Sequence, residues 1–283
     1  MNEASQAVPQ TPSLTVIEPA GSWLSLDFGE LWAYRELLYF LVWRDLKVRY
    51  KQSAVGVTWA LLQPVATMGL FTVIFGHLIR VKTNGVPYPP FVLTGLIAWQ
   101  LLAHALSQGT TSLTVSRGLI TKVYFPRLFV PAATVLAGLV DFLIAGAVLA
   151  VFIGAYGIRP PTRLPIAFAF LVLLLAATLG VAFWLSALNV KYRDVQYAIP
   201  FLSQFWFFAT PIVYSATSVP AAWRPVLGIN PLAGAVQGLR WAIFPRAPLF
   251  PGLLAVSTAV SIALLVSGLL YFHVTERDFA DVV

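Results

Sequence analysis

Charged residues are absent, or nearly so, from six long runs of the chain. Val57–Ile79, Phe91–Ser116, Leu164–Val190, Val195–Trp223 and Ala247–Thr275 hold no Asp, Glu, Lys or Arg, and Leu128–Ile158 holds only Asp141. A helix needs about 20 mostly apolar residues to cross a bilayer. The pattern therefore predicts an all-α polytopic membrane protein with six transmembrane helices, at about 57–79, 91–116, 128–156, 164–190, 195–215 and 249–272. A soluble fold can bury one such helix, but not six.

The run Trp43 to Pro64, "WRDLKVRYKQSAVGVTWALLQP", changes character partway. Its first part is basic, and no charge follows until Arg80. A helix over 29–52 places Tyr34, Leu37, Leu38, Leu41 and Val48 on one face and Glu36, Arg44, Lys47 and Lys51 on the other, with Phe40 interrupting the polar side. This is the pattern of an amphipathic interface helix, with Arg44, Lys47, Arg49 and Lys51 toward lipid phosphates and water. The alternative is a plain polar flank of the first span. Residues 1–28 are polar and proline-containing, with no signal-peptide pattern, and read as a disordered cytoplasmic tail; 276–283 read as a second cytoplasmic tail.

Between the fifth and sixth runs, 217–246 is too broken to span and too apolar for a free loop. Short re-entrant helices packed against protein satisfy such backbone. Asn230 followed by Pro231 marks one helix start. Pro64, Pro200 and Pro211 lie inside or at the edge of spans, where each removes a backbone donor.

Composition agrees with this class. The chain is 59% hydrophobic and 10% charged, against about 25% charged in soluble domains. The net charge of +7 fits basic flanks of membrane spans and shows no clustered footprint for nucleic acid. With the N-terminus inside, eleven Lys/Arg fall on inner segments and seven on outer ones, which favours that orientation. The outer segments hold no acid. Their positive charge suits an anionic group or ordinary lipid headgroups. There is no cysteine, the three histidines are far apart, and no Gly-Lys pair exists. Thiolate metal sites and a nucleotide-binding loop are thus excluded. No constellation supports catalysis.

Two features carry candidate chemistry. Asp141, in "GLVDFLIAG", is an acid inside a span, open to a functional role or to a structural bond with a neighbouring helix or arginine. "PFLSQFWFFATPIVY" crowds six aromatic residues into the fifth span, too many to face one path. Phe201, Phe205, Trp206, Phe208 and Tyr214, with Asn230 and Arg240 from the following segment, are the candidates for a path or gate. Lipid contact and helix packing are the competing roles.

The stretches "WRDLKVRYKQSAVGVTWALLQP", "PYPPFVLTGLIAWQ", "LITKVYFPRLFVP", "LNVKYRDVQYAIPFLSQFWFFATPIVYS" and "NPLAGAVQGLRW" occur in an order that resembles the permease subunits of ABC-2 type polysaccharide exporters, nearest to the O-antigen group. The resemblance covers about residues 30 to 275. It implies a homodimer joined by two copies of a separate ATPase subunit. It implies no cofactor in this chain, with ATP and Mg bound by that partner. It also implies a coupling loop at 117–127, where Lys122, Val123, Tyr124, Phe125 and Arg127 would dock on the ATPase. The expected substrate is a polyprenyl-diphosphate-linked polysaccharide, most naturally O-antigen, moved across the inner membrane with both termini cytoplasmic. Membrane lipids are the other expected contact, and nucleic acid is not one. Export of capsule, teichoic acid, a lipid or a drug is the alternative, followed by a membrane glycan enzyme.

Overall fold

The computed structural model describes residues 28–51, 56–276 and 279, so the tail at 1–27, residues 52–55 and most of the segment after Glu276 lie outside the described residues. Among the described residues the chain is helical, with no strand. Five helical stretches are long and apolar enough to cross a membrane: Leu61–Leu78, Tyr88–Val115, Phe129–Ala155, Leu164–Lys191 and Pro251–Thr275.

The order begins with α1 (Phe28–Ala33) and α2 (Arg35–Lys51), which break at Tyr34. α3 (Gly56–Phe71) contains Pro64 and continues as a widened π turn, Thr72–Leu78. α4 (Tyr88–His104) starts with two prolines in its first turn, where no intrahelical donor is lost. It runs through a second π segment, Ala105–Gly109, into α5 (Thr110–Val115) and the single turn α6 (Arg117–Ile120). α7 (Phe129–Ala155) and α8 (Ala167–Lys191) follow.

α9 (Val195–Ala209) has 15 residues, shorter than the expected 195–215. Thr210 leaves the helix with φ −93° and ψ 139°. The cause is Pro211, whose ring forces the preceding residue toward extended backbone. Two short 3₁₀ turns lead to α10 (Arg224–Leu227) and α11 (Pro231–Ile243), and α12 (Pro251–Thr275) closes the bundle.

Among the described residues, two large cores hold most of the helices. One, at the distal end, gathers α4, α11 and the turn after α9 around Leu93, Ile97, Ile212 and Val236. The other, at the basal end, joins α2, α7, α8 and α12 through Leu41, Phe129, Phe183 and Phe272. α8 and α12 run side by side with small residues at the crossing. A Cβ on Gly180 would lie 2.6 Å from the Leu264 carbonyl carbon, and one on Gly268 would lie 2.6 Å from the Gly180 oxygen. Close approach through small residues is how membrane helices gain dispersion contact without a hydrophobic drive between them.

Candidate functional site

Asp141 lies midway along α7, a 27-residue helix with no other charge. Hydrocarbon cannot solvate a carboxylate, so its partners must come from protein. α2 supplies them. Leu41, Val42, Asp45, Leu46, Arg49 and Tyr50 turn inward, while Trp43, Arg44, Lys47, Val48 and Lys51 stay exposed. Arg49 Nη1 donates to one Asp141 oxygen and Tyr50 Oη to the other. Arg49 Nη2 also donates to the ring of His104, 2.9 Å from Nε2. Burial, together with the hydrogen bond to Asp141, pushes the Tyr50 hydroxyl up to about 12, so it remains a proton donor at neutral pH. Gly138, one turn before Asp141, makes room for this cluster: a Cβ there would come 2.7 Å from the His104 ring.

The interface-helix residues therefore divide. Arg44 pairs with Asp45 at 2.9 Å, and Lys47 and Lys51 are exposed. Arg49 leaves that set and enters the bundle, whereas Val48, expected on the apolar inner face, is 68% exposed. A helical wheel weighs only hydrophobicity and cannot register that a carboxylate waits inside.

Arg49 and His104 stand on the shared wall of two cavities. The larger, about 830 Å³, lies among the spans. Phe71, Trp99 and Phe207 line it, with the amides of Gln63 and Gln100. Phe207 stacks on Phe71 (5.8 Å, 23°) and meets Trp99 edge-on (5.4 Å, 75°). Aromatic faces carry negative potential and suit the C–H faces of sugar rings, while amides pair with hydroxyls. The smaller cavity, about 460 Å³, lies at the basal end beneath α2, bounded by Arg44, Gln108, Thr111, Ser112 and Ser116.

The aromatic candidates fall into two groups. Phe201, Phe205 and Phe208 form an exposed stripe on α9. Trp206 instead donates its indole N–H to Asn230 Oδ1 at 2.9 Å, and that same oxygen caps α11 by accepting from the Leu232 N–H. Tyr214 is half-buried. Arg240 is fully buried. Its guanidinium donates to the carbonyls of Phe91, Pro211 and Ile212 and lies 3.5 Å from the Phe91 ring centroid. Arg163 and Arg224 also bind backbone carbonyls, at Trp241, Phe244 and Pro245 and at Val219. Three of the seven basic residues expected on the outer side thus bind backbone carbonyls.

In the 117–127 loop, Lys122, Val123 and Tyr124 are exposed, and Phe125 is buried in the basal core at 3% exposure. Arg127 ties the loop to the end of α12: its backbone N–H donates to Glu276 Oε1 and its guanidinium to the Glu276 carbonyl.

Tyr50, His104, Trp99, Gln63 and Gln100 lie outside the candidates the sequence offered, and Phe207 stood only among the six aromatic residues of the fifth span. One signal was there. Gln100, His104, Ser107, Gln108 and Thr111 recur at helical spacing inside the charge-free second run, a polar stripe facing the two cavities.

Comparison with known proteins places the chain. Residues 36–244 match the family described as ABC-2 type transporter. The chain is 33% identical over 257 residues to the O-antigen export system permease protein RfbA of Myxococcus xanthus, covering 89% of this chain and 97% of that protein. It is 29% identical over 254 residues to an RfbA of Klebsiella pneumoniae, with 88% and 95% covered. The polysialic acid transport protein KpsM of Escherichia coli is 24% identical over 210 residues, with 71% and 79% covered. Relatives that align nearly end to end, and a family match over most of the length, leave one assignment: the chain belongs to the ABC-2 type transporter family.

Proposed function

We propose that the chain is the membrane permease subunit of an ABC exporter for a polyprenyl-diphosphate-linked surface polysaccharide, with O-antigen as the substrate, in the bacterial inner membrane. The observation that carries this reading is the 830 Å³ cavity among the spans, walled by Trp99, Phe71 and Phe207 beside Gln63 and Gln100. Rings and amides together suit a carbohydrate better than a lipid tail or an ion. The names of the relatives point to the same substrate class.

Two copies of the chain enclose the path, and α9 from each faces it. α9 is the fifth of six spans, continued by the non-helical residues after Ala209, and α10–α11 form a re-entrant cap at the outer end. Both termini are cytoplasmic, as the basic residues favour. ATP and Mg belong to two copies of a separate ATPase. That partner meets Lys122, Val123 and Tyr124, which are exposed, while the buried Phe125 and the Arg127–Glu276 tie pass its movement to α7 and α12.

Deletion of the gene should strip polysaccharide from the cell surface and leave carrier-linked polymer inside. Re-expression should restore export only with the cognate ATPase present. Normal surface polymer in the deletion strain would sink the reading. Val123→Ala with Tyr124→Ala should lower co-purification of the ATPase at least about tenfold, since clustered aromatic contacts dominate interface energies, while Phe125 stays in place to hold the fold. Unchanged co-purification and export in that variant would remove the docking assignment.

A further inference from the structure

We infer that the basal cavity beneath α2 is a seat for a phosphate or diphosphate group, and that Asp141 holds Arg49 in that group's place while the seat is empty. The inference rests on the reading of a diphosphate-linked substrate and names where the diphosphate goes.

The walls carry donors. α2 presents Arg44 and Arg49, and the far end of the second span presents Gln108 and Ser116, whose side chains make no intramolecular hydrogen bond among the described residues. Ser112 and Thr111 turn their hydroxyls back onto their own helix carbonyls. Among the described residues the wall holds one acid, Asp45, already paired with Arg44.

Arg49 reaches through the wall between the cavities, with Nη1 on Asp141 and Nη2 on His104. A guanidinium fork fits a phosphate as well as it fits a carboxylate. An incoming phosphate therefore exchanges one anion for another on Arg49. Desolvation of the guanidinium is common to both states, so the exchange is reversible, as transport demands. Asp141 is not left orphaned by the exchange. Tyr50 still donates to its other oxygen, and the raised Tyr50 hydroxyl keeps its proton.

The placement fits the covalent order of such a substrate. The diphosphate is bonded directly to the first sugar, and the phosphate seat shares its Arg49–His104 wall with the aromatic cavity. Release of Arg49 from Asp141 opens that wall when the anion arrives.

The chain supports a direct test in lipid nanodiscs without the ATPase, which has phosphate sites of its own. Inorganic pyrophosphate is titrated calorimetrically. Wild type should bind it, Arg49→Gln should abolish binding, and Arg49→Lys, lacking the fork, should weaken it. Asp141→Asn removes the internal competitor and should tighten binding about tenfold, the scale of one lost competing charge. Arg44→Gln leaves the Arg49–Asp141 pair intact and should weaken binding, so the inference stays testable if the Asp141 variant fails to fold. Wild-type affinity in Arg49→Gln, or no gain in a folded Asp141→Asn, overturns the seat.

Nanodiscs of phosphatidylcholine and of phosphatidylglycerol separate the sources. Pyrophosphate affinity that falls in phosphatidylglycerol through Arg49 supports the seat and assigns it to lipid headgroups; equal affinity in both supports the seat and assigns it to the carrier diphosphate. Surface polysaccharide in complemented cells separates the seat from the export function. Restored export with a failed binding pattern discards only the seat, and the converse discards only the export reading.

Discussion

Arg240 shows what a single residue does where a helix is broken. Pro211 ends α9, and the carbonyls of Pro211 and Ile212 are left without intrahelical donors inside the distal core. Non-helical backbone at membrane depth survives only where protein satisfies it. Arg240 does so from α11, and it also binds the Phe91 carbonyl of α4, so one side chain joins three segments. Arg240→Met removes those donors and should destabilise the fold by about 3 kcal/mol, the sum of two or so charge-assisted bonds less the cost of burying the charge. Arg240→Lys should fall between, because an ammonium cannot span the same carbonyls. Thermal unfolding in nanodiscs measures this, and a wild-type midpoint for Arg240→Met would show that the carbonyls find other donors. The sequence offered Arg240, from an expected outer segment, as a candidate for a path or gate. Its burial was not legible, since its partners are backbone oxygens and leave no side-chain pattern. Asp141 and Arg49 were each visible, but 92 positions separate them, and no periodicity says that they meet.

At the scale of elements, legibility follows physics that acts locally. Long charge-free runs must be helices in lipid, so five of them stand out on composition alone. The shorter α9 was misjudged because hydropathy continues past Ala209, whereas Pro211 acts through backbone sterics that hydropathy does not weigh. The contact between α8 and α12 was not visible at all. It depends on Gly180 and Gly268 facing each other, and on Trp184 stacking against Tyr271 at 4.2 Å while donating to Ser267. Gly268→Val pushes a side chain into the Gly180 carbonyl and should separate the helices, at a cost of about 3 kcal/mol or more, at the upper end for overpacked cores. Gly146 on α7 offers the contrast, with nothing within 4 Å of its added Cβ. Gly146→Ala should be neutral or stabilising by up to about 1 kcal/mol from helix propensity. Monodispersity and unfolding temperature of the two variants decide it. If Gly268→Val behaves like Gly146→Ala, the close crossing is not what holds α8 to α12.

At the scale of the molecule, α9 is a long helix that its own chain buries little. Only Ile199 is buried in it, while Tyr197, Phe201, Phe205 and Phe208 recur on one exposed face. Rings on that face would be at home in lipid, but Gln204 is exposed among them and lines a cavity of about 260 Å³ there with Phe201, Phe205 and Phe208. An amide facing hydrocarbon has no partner, whereas one facing a hydrated path or a second copy does. The proposed dimer therefore sets two α9 faces toward each other. The chain has no cysteine, so Phe205→Cys introduces one thiol per subunit. Oxidation in native membranes, or a bismaleimide where the gap exceeds the Cα separation of about 7 Å that a disulfide tolerates, should yield covalent dimers. Phe168→Cys, 71% exposed near the start of α8, places the thiol on another face and should remain monomeric. Cross-linking at Phe168 with none at Phe205 would move the subunit contact to α8 and turn the aromatic stripe of α9 toward lipid.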